Sequence, residues 1–375
     1  MKKKLISLAV AAAVAAPMAA IADATIYGIA HVSVDSVDVD RNAIWFPPAR
    51  PGFDGWGMGL GGRNSRLGFK GSEDLGGGLK AIYKMEFAVP LSNEDNDINN
   101  GDGERIRMRN SYVGLAGGWG SLLMGRHDTP AKMATGKLDM FSDTLADYNR
   151  TIGFADVRSD NTIAYISPNW AGFTFAAATI PGGSATVVGL NNENSDNIAE
   201  GWSVAGMYNN GPFFAAVSYE TLSDDLVGPT SIDDDPEDIE DFFDNDNWKY
   251  WKVGLGILDW HGFTLSGVYE DHSNFLGRKD QADAKLWQLQ AAYAFGNFKL
   301  KGAYGQVDPD RNVCVQVDSQ DDTIIRDCKD KTSWAVGGDY NFSKRTTAYL
   351  LYTRTDDDAR SADWKGFSLG MIHKF

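Results

Sequence analysis

The stretch Gly366-Phe367-Ser368-Leu369-Gly370-Met371-Ile372-His373-Lys374-Phe375 decides the fold. In an extended chain Phe367, Leu369, Met371, His373 and Phe375 share one face, and Ser368, Gly370, Ile372 and Lys374 share the other. An alternating strand that stops on an aromatic, with no polar tail, is expected of a membrane barrel and not of a soluble sandwich.

The same period recurs upstream. Trp202, Val204 and Tyr208 oppose Ser203 and Asn209; Phe213, Ala215, Val217 and Tyr219 oppose Ser218 and Glu220. Trp287, Leu289, Ala291, Tyr293 and Phe295 oppose Gln288 and Gln290. Phe298, Leu300 and Tyr304 oppose Lys299 and Lys301; Trp334, Val336 and Tyr340 oppose Ser333 and Asp339. This is strand alternation.

The connections fall into two classes. Tight ones carry turn residues: Glu73–Gly78, Gly117–Gly120, Asn209–Pro212, Gly296-Asn297 and Asn341–Lys344. Long polar ones cover roughly 36–62, 90–103, 128–157, 181–199, 223–246, 272–283, 308–330 and 356–363. The classes alternate, which predicts an all-β, 16-stranded antiparallel transmembrane β-barrel with long extracellular loops and short periplasmic turns. After Ala24 no run approaches the ~20 apolar residues of a membrane helix. A barrel needs none, because its strands alternate lipid-facing and lumen-facing residues.

The N-terminus reads as an address. Lys2, Lys3 and Lys4 precede an apolar run from Leu5 to Ala16, and Ala22-Asp23-Ala24 has the form of a cleavage site. Residues 1–24 are therefore expected to be a signal peptide, and 25–375 the barrel. The net charge of −16 disfavours nucleic acid as a partner. Cys314 and Cys328, the only cysteines in an exported chain, are expected to form one disulfide.

Four stretches carry a resemblance: Ser65–Gly76, Arg109–Leu115, Leu123–Pro130 and Gly370–Phe375; Tyr340–Thr346 also fits. On these the sequence resembles the Gram-negative general porins, trimeric diffusion channels of the outer membrane, nearest to the neisserial and proteobacterial type. The resemblance spans the mature chain. It implies a homotrimer in lipid and lipopolysaccharide, with a third loop folded into the lumen. It also implies insertion by the outer-membrane assembly machinery, with Phe375 as the assembly signal. The function implied is passive diffusion of small hydrophilic solutes and ions; the alternative is a substrate-selective porin for anions, dicarboxylates or sugars.

In such channels wall arginines face acidic residues of the third loop. Period-two parity turns Leu67 and Phe69 outward and Arg66 and Lys70 inward. It also turns Lys80, Lys84 and Glu86 inward, and sets Ile106, Met108 and Tyr112 outward against Arg105, Arg107 and Arg109 inward. Arginines this dense on the lipid face would cost several kcal/mol each. Arg158 matches a third wall arginine of the family. The expected constriction is therefore Arg66, Arg109 and Arg158, with Lys84, Arg107 and Arg126 as neighbours. The loop's candidates are Asp139, Asp143 and Asp147, interspersed with Lys132, Lys137 and Arg150; which of them face the wall is open at this point.

The fifth long loop is acidic, with Asp224, Asp225, Asp233, Asp234, Asp235, Glu237, Asp238, Glu240, Asp241, Asp244 and Asp246. It reads as a cation-attracting vestibule, a divalent-ion site or plain solubilising charge. Asp95–Gly101 departs from a calcium loop, since Asn100 stands where Gly is required. No cofactor is expected. Two enzyme-like patterns lack their context: Gly57–Gly62 has no βαβ unit around it, and Gly366–Gly370 lies within the final strand.

Overall fold

The computed structural model describes residues 24–39, 55–59, 65–89, 91, 106–182, 186–187, 190–191, 197–227, 246–274, 283–309, 314–317, 323–326, 330–357 and 363–375. Sixteen long strands build one barrel. They are β1 (Thr25–Val39), β2 (Arg66–Gly76), β3 (Leu79–Ala88), β4 (Ser111–Gly117), β5 (Gly120–Asp128), β6 (Arg158–Ile166), β7 (Phe173–Ile180) and β8 (Gly201–Asn210). Then follow β9 (Phe213–Leu222), β10 (Trp248–Trp260), β11 (Phe263–Ser273), β12 (Ala284–Phe295), β13 (Phe298–Pro309), β14 (Lys331–Asn341), β15 (Thr346–Asp357) and β16 (Trp364–Lys374). The short piece Gly55–Met58 pairs back onto β1, and Arg107–Met108 leads into β4 along β3.

Each strand pairs antiparallel with its chain neighbours. β16 returns to β1, with Ile29 opposite Lys374 and Val39 opposite Trp364. The sixteen strands thus close on themselves, as a structure in lipid requires.

The outer face is the apolar half of the alternation: Val217, Leu255, Leu265, Leu289, Leu300, Val336 and Leu369 are all exposed there. Aromatic contacts mark both borders of this band. Near the tight turns run Phe173–Tyr208, Phe263–Tyr293 and Phe298–Tyr340; toward the long loops run Trp202–Tyr219, Trp251–Tyr269, Trp287–Tyr304 and Trp334–Tyr352. Trp202 to Tyr208, Trp287 to Tyr293 and Trp334 to Tyr340 are the same six residues apart. That is ~20 Å along a strand, close to the height of an outer-membrane apolar band.

The tight turns predicted from sequence are present, and two more join strands on the same rim: Ser167–Gly172 and His261-Gly262. Both carry turn residues. Asn169 Oδ1 accepts from Gly172 N–H at 2.9 Å, and Gly172 and Gly262 hold φ of 102° and 89°, the left-handed region that Gly adopts freely.

The third loop lies inside the barrel. It starts with α1 (Pro130–Thr135), capped by the Thr129 hydroxyl and with Pro at its first position. A 3-10 turn follows at Gly136–Leu138, then α2 (Tyr148–Thr151), capped by Asp147. Leu138, Phe141, Leu145, Ile152 and Phe154 are all buried against the inner wall. The wall accommodates them with glycines. A Cβ on Gly254 would lie 2.5 Å from Leu138, on Gly305 2.8 Å from Ile152, on Gly337 3.2 Å from Phe141, and on Gly366 2.4 Å from Leu145. The loop thus lies along β8–β16 and leaves the opposite wall, β2–β6, open.

Candidate functional site

The open passage runs between the third loop and the β2–β6 wall. Arg66, Lys84 and Glu86 reach it from neighbouring strands, in the register Arg66↔Ala88 and Lys70↔Lys84. Glu86 is the hub. Its carboxylate takes the Arg109 Nε–H at 2.9 Å, the Tyr27 hydroxyl at 2.7 Å and Lys84 Nζ at 3.1 Å. The charges of Arg66 and Arg158 also act on Arg109.

A second carboxylate ties the wall to the loop. Asp128 accepts from the Asn110 amide at 2.8 Å and pairs with Arg158, whose Nε lies 2.8 Å away and donates to Asn110 Oδ1 at 2.8 Å, with Lys132 Nζ at 3.4 Å. Lys132 continues to Asp156 at 3.0 Å. Arg66 Nη1 lies 3.7 Å from Asp143 Oδ2 of the loop tip.

Arg107 faces inward, opposite Ala88, next to Met108 facing out against Phe87. Three expectations are corrected. Tyr112 faces inward and not to lipid. Arg109 N–H bonds Glu86 O, yet Tyr112 pairs with Lys84, so the strand carries one extra residue near Asn110. Such a bulge flips the parity beyond it, and Tyr112 then meets His127 with ring centroids 5.2 Å apart.

Arg126 does not join the basic cluster. It sits between inward Gly125 and His127, and pairs with Asp160 at 2.7 Å. Asp139 is turned away from the passage. It accepts from the backbone N–H groups of Phe141 (2.9 Å) and Tyr148 (3.2 Å) and from the Gln290 amide (3.1 Å), bracing the loop internally. Burial pushes its carboxyl up to about 6. Asp147 is half-buried and accepts from Asn149 N–H and Asp143 N–H at 2.9 and 2.7 Å. Burial and the nearby Asp139 raise it as well. Of the loop charges, Asp143 meets Arg66, and Lys132 and Asp156 pair beside Asp128; Asp147 and Arg150 are half-exposed.

Sequence parity placed Glu86 inward without marking it as a site. Tyr27, Asn110, Asp128 and Asp156 were not singled out. Asn110 and Asp128 lie inside two of the resembling stretches, which was the available signal. Other expectations fall on residues outside the described ones: the signal peptide before Ala24, the segment Asp95–Gly101, Cys328, and the acidic loop between Asp225 and Asp246. Cys314 opens a hairpin, Cys314–Val317 with Thr323–Arg326, opposite Arg326.

A family model described as Gram-negative porin matches residues 7–360. The major outer membrane protein P.IB of Neisseria meningitidis serogroup A is 29% identical over 362 residues, covering 93% of this chain and 92% of that protein. The anion-selective porin from Comamonas acidovorans superposes with a TM-score of 0.67 at 21% identity, over 94% of this chain and 99% of that one. OmpT of Vibrio cholerae in its trimer form gives 0.58 at 13% identity, over 94% and 99%.

Proposed function

The chain belongs to the Gram-negative porin family and is an outer-membrane channel, not an enzyme, and on that premise we propose that it passes small hydrophilic solutes and ions by passive diffusion, with a weak preference for anions set at the Glu86 and Asp128 walls. The carrying observation is the charge balance around the passage. Within the ion pairs that line it, Arg66, Lys84, Arg109, Lys132 and Arg158 meet Glu86, Asp128, Asp143 and Asp156, five cations against four carboxylates, and Arg107 adds a further inward cation.

Most of those charges pair side by side, so the passage has a strong local field but little net charge. The basic wall and Asp143 opposite it set a field across the passage, which orients water and dipolar solutes without trapping them. Charges on the external loops act only within a screening length of ~8–10 Å. The constriction therefore outweighs them. A second reading, selectivity for small dianions, is favoured by the convergence of Arg66, Arg109 and Arg158, since guanidinium forks match carboxylate and phosphate.

On this reading the working unit is a homotrimer embedded in lipopolysaccharide and lipid, inserted by the assembly machinery that reads Phe375. Cys314 and Cys328 close a disulfide in an outer loop. The test is a planar bilayer under a salt gradient. Stable conductance steps and a reversal potential slightly on the anion side are expected. Arg66→Ala and Arg109→Ala each shift it toward cations. Absence of conductance steps overturns the pore, and saturable flux of a dicarboxylate favours the second reading.

A further inference from the structure

On the inner face of β8–β11, behind the third loop, four strands bury a charged cluster. Lys252, Glu270 and Glu220 are each 0% exposed. Lys252 Nζ lies 3.1 Å from Glu270 Oε2 and over the Tyr250 ring, 5.4 Å from its centroid. His272 Nδ1 approaches Glu270 at 3.3 Å, and the Tyr250 hydroxyl donates to Glu220 at 2.5 Å.

This cluster grips backbone of the third loop. Glu270 takes the Ala155 N–H on both oxygens, at 3.0 and 3.1 Å, and Lys252 donates to the Ala155 carbonyl. The outgoing limb is held beside it: Ser203 Oγ accepts the Ala131 N–H at 3.0 Å, and the Thr129 and Ser203 hydroxyls lie against Glu220. A buried ion pair is a poor source of stability by itself and survives where it fixes geometry. Here the fixed backbone is adjacent to the selecting charges. Ala155 precedes Asp156 and lies three residues before Arg158, while Thr129 and Ala131 flank Pro130 between Asp128 and Lys132.

We propose that Lys252 and Glu270 are positioning residues for selectivity: they latch the returning limb of the third loop, at Ala155, to β10 and β11, beside the limb that Ser203 and Glu220 hold, and thereby hold the Asp128–Arg158 and Lys132–Asp156 pairs at the passage. This rests on the pore reading above. Neither residue touches a passing solute. Freed from the latch, the two limbs separate and the pairs exchange partners with water, so the wall field becomes variable in time.

The decisive variant is Lys252→Met/Glu270→Leu, which removes both charges together and leaves no buried ion unpaired. Barrels that keep the folded, heat-modifiable form on gels are taken forward. In bilayers the open-channel current becomes noisier and the reversal potential moves from the wild-type value. Lys252→Met/Glu270→Gln, which retains an acceptor for the Ala155 N–H and likewise leaves no buried ion unpaired, stays close to wild type in both. Amide exchange over residues 129–157 rises in the double variant while that of β2–β6 is unchanged. Exchange does not depend on conduction, so it tests the latch even where no current is seen. Folded double-variant barrels with wild-type noise, reversal potential and loop protection overturn the proposal. Equal effects of Leu and Gln at 270 overturn the role of the Ala155 contact.

Discussion

At Glu86 one carboxylate balances Arg109, Lys84 and the Tyr27 hydroxyl at once. Removing its charge leaves both cations without that partner and makes the passage more positive. Glu86→Gln is therefore expected to move the reversal potential toward anions, opposite in sign to Arg109→Ala, by the same bilayer measurement. Equal signs would mean that geometry, and not charge, governs this wall. Asp139 makes a different prediction. Its carboxyl is raised to about 6 by burial, so the folded loop binds its proton more tightly than the unfolded chain does. The stabilisation is complete below the ordinary Asp value of ~3.9 and is lost as pH rises through about 6. The thermal midpoint in detergent should fall across that window, and Asp139→Asn should remove that part of the fall.

Between elements, the third loop and its wall meet as side chain into glycine. A Cβ on Gly366 would lie 2.4 Å from Leu145 Cδ2 and 3.3 Å from Ser36 O. Gly366→Val should lift the loop tip from β16 at ~1–3 kcal/mol, the usual cost of overpacking. The readout is faster amide exchange around Leu145 with the folded barrel form retained. The strands were legible in the sequence because period two is local: Trp287 to Phe295 shows its lipid face without any partner. The bulge near Asn110 was not, because an extra residue is defined only by the pairing of two strands, and so Tyr112 was placed on the wrong face. The loop has no period at all. Asp139 and Asp143 look alike in sequence, and only Gln290, the Phe141 and Tyr148 amides and Arg66 sort one inward and the other to the passage.

At the scale of the whole barrel, closure rests on the seam between the first and last strands. Gly28 N–H bonds Phe375 O at 3.0 Å, and Phe375 N–H bonds Gly28 O at 3.1 Å. The Phe375 ring lies over Gly28, where a Cβ would stand 2.4 Å from Cζ and 2.8 Å from the Arg66 carbonyl oxygen. Any side chain at 28 must therefore displace the terminal ring or the β1–β2 pairing, and both border the seam. An open seam exposes unpaired backbone to lipid, where no water can satisfy it. Gly28→Val should accordingly reduce the folded, heat-modifiable fraction and lower the unfolding temperature, with a cost of ~1–3 kcal/mol from overpacking before any pairing is lost. Phe375→Ala in the same background separates the causes: it removes the ring that the valine strikes. If the double variant is more stable than Gly28→Val alone, the clash with the ring is the defect. If it is less stable, the ring protects the seam even when displaced, and the Arg66 carbonyl is the group that the valine offends.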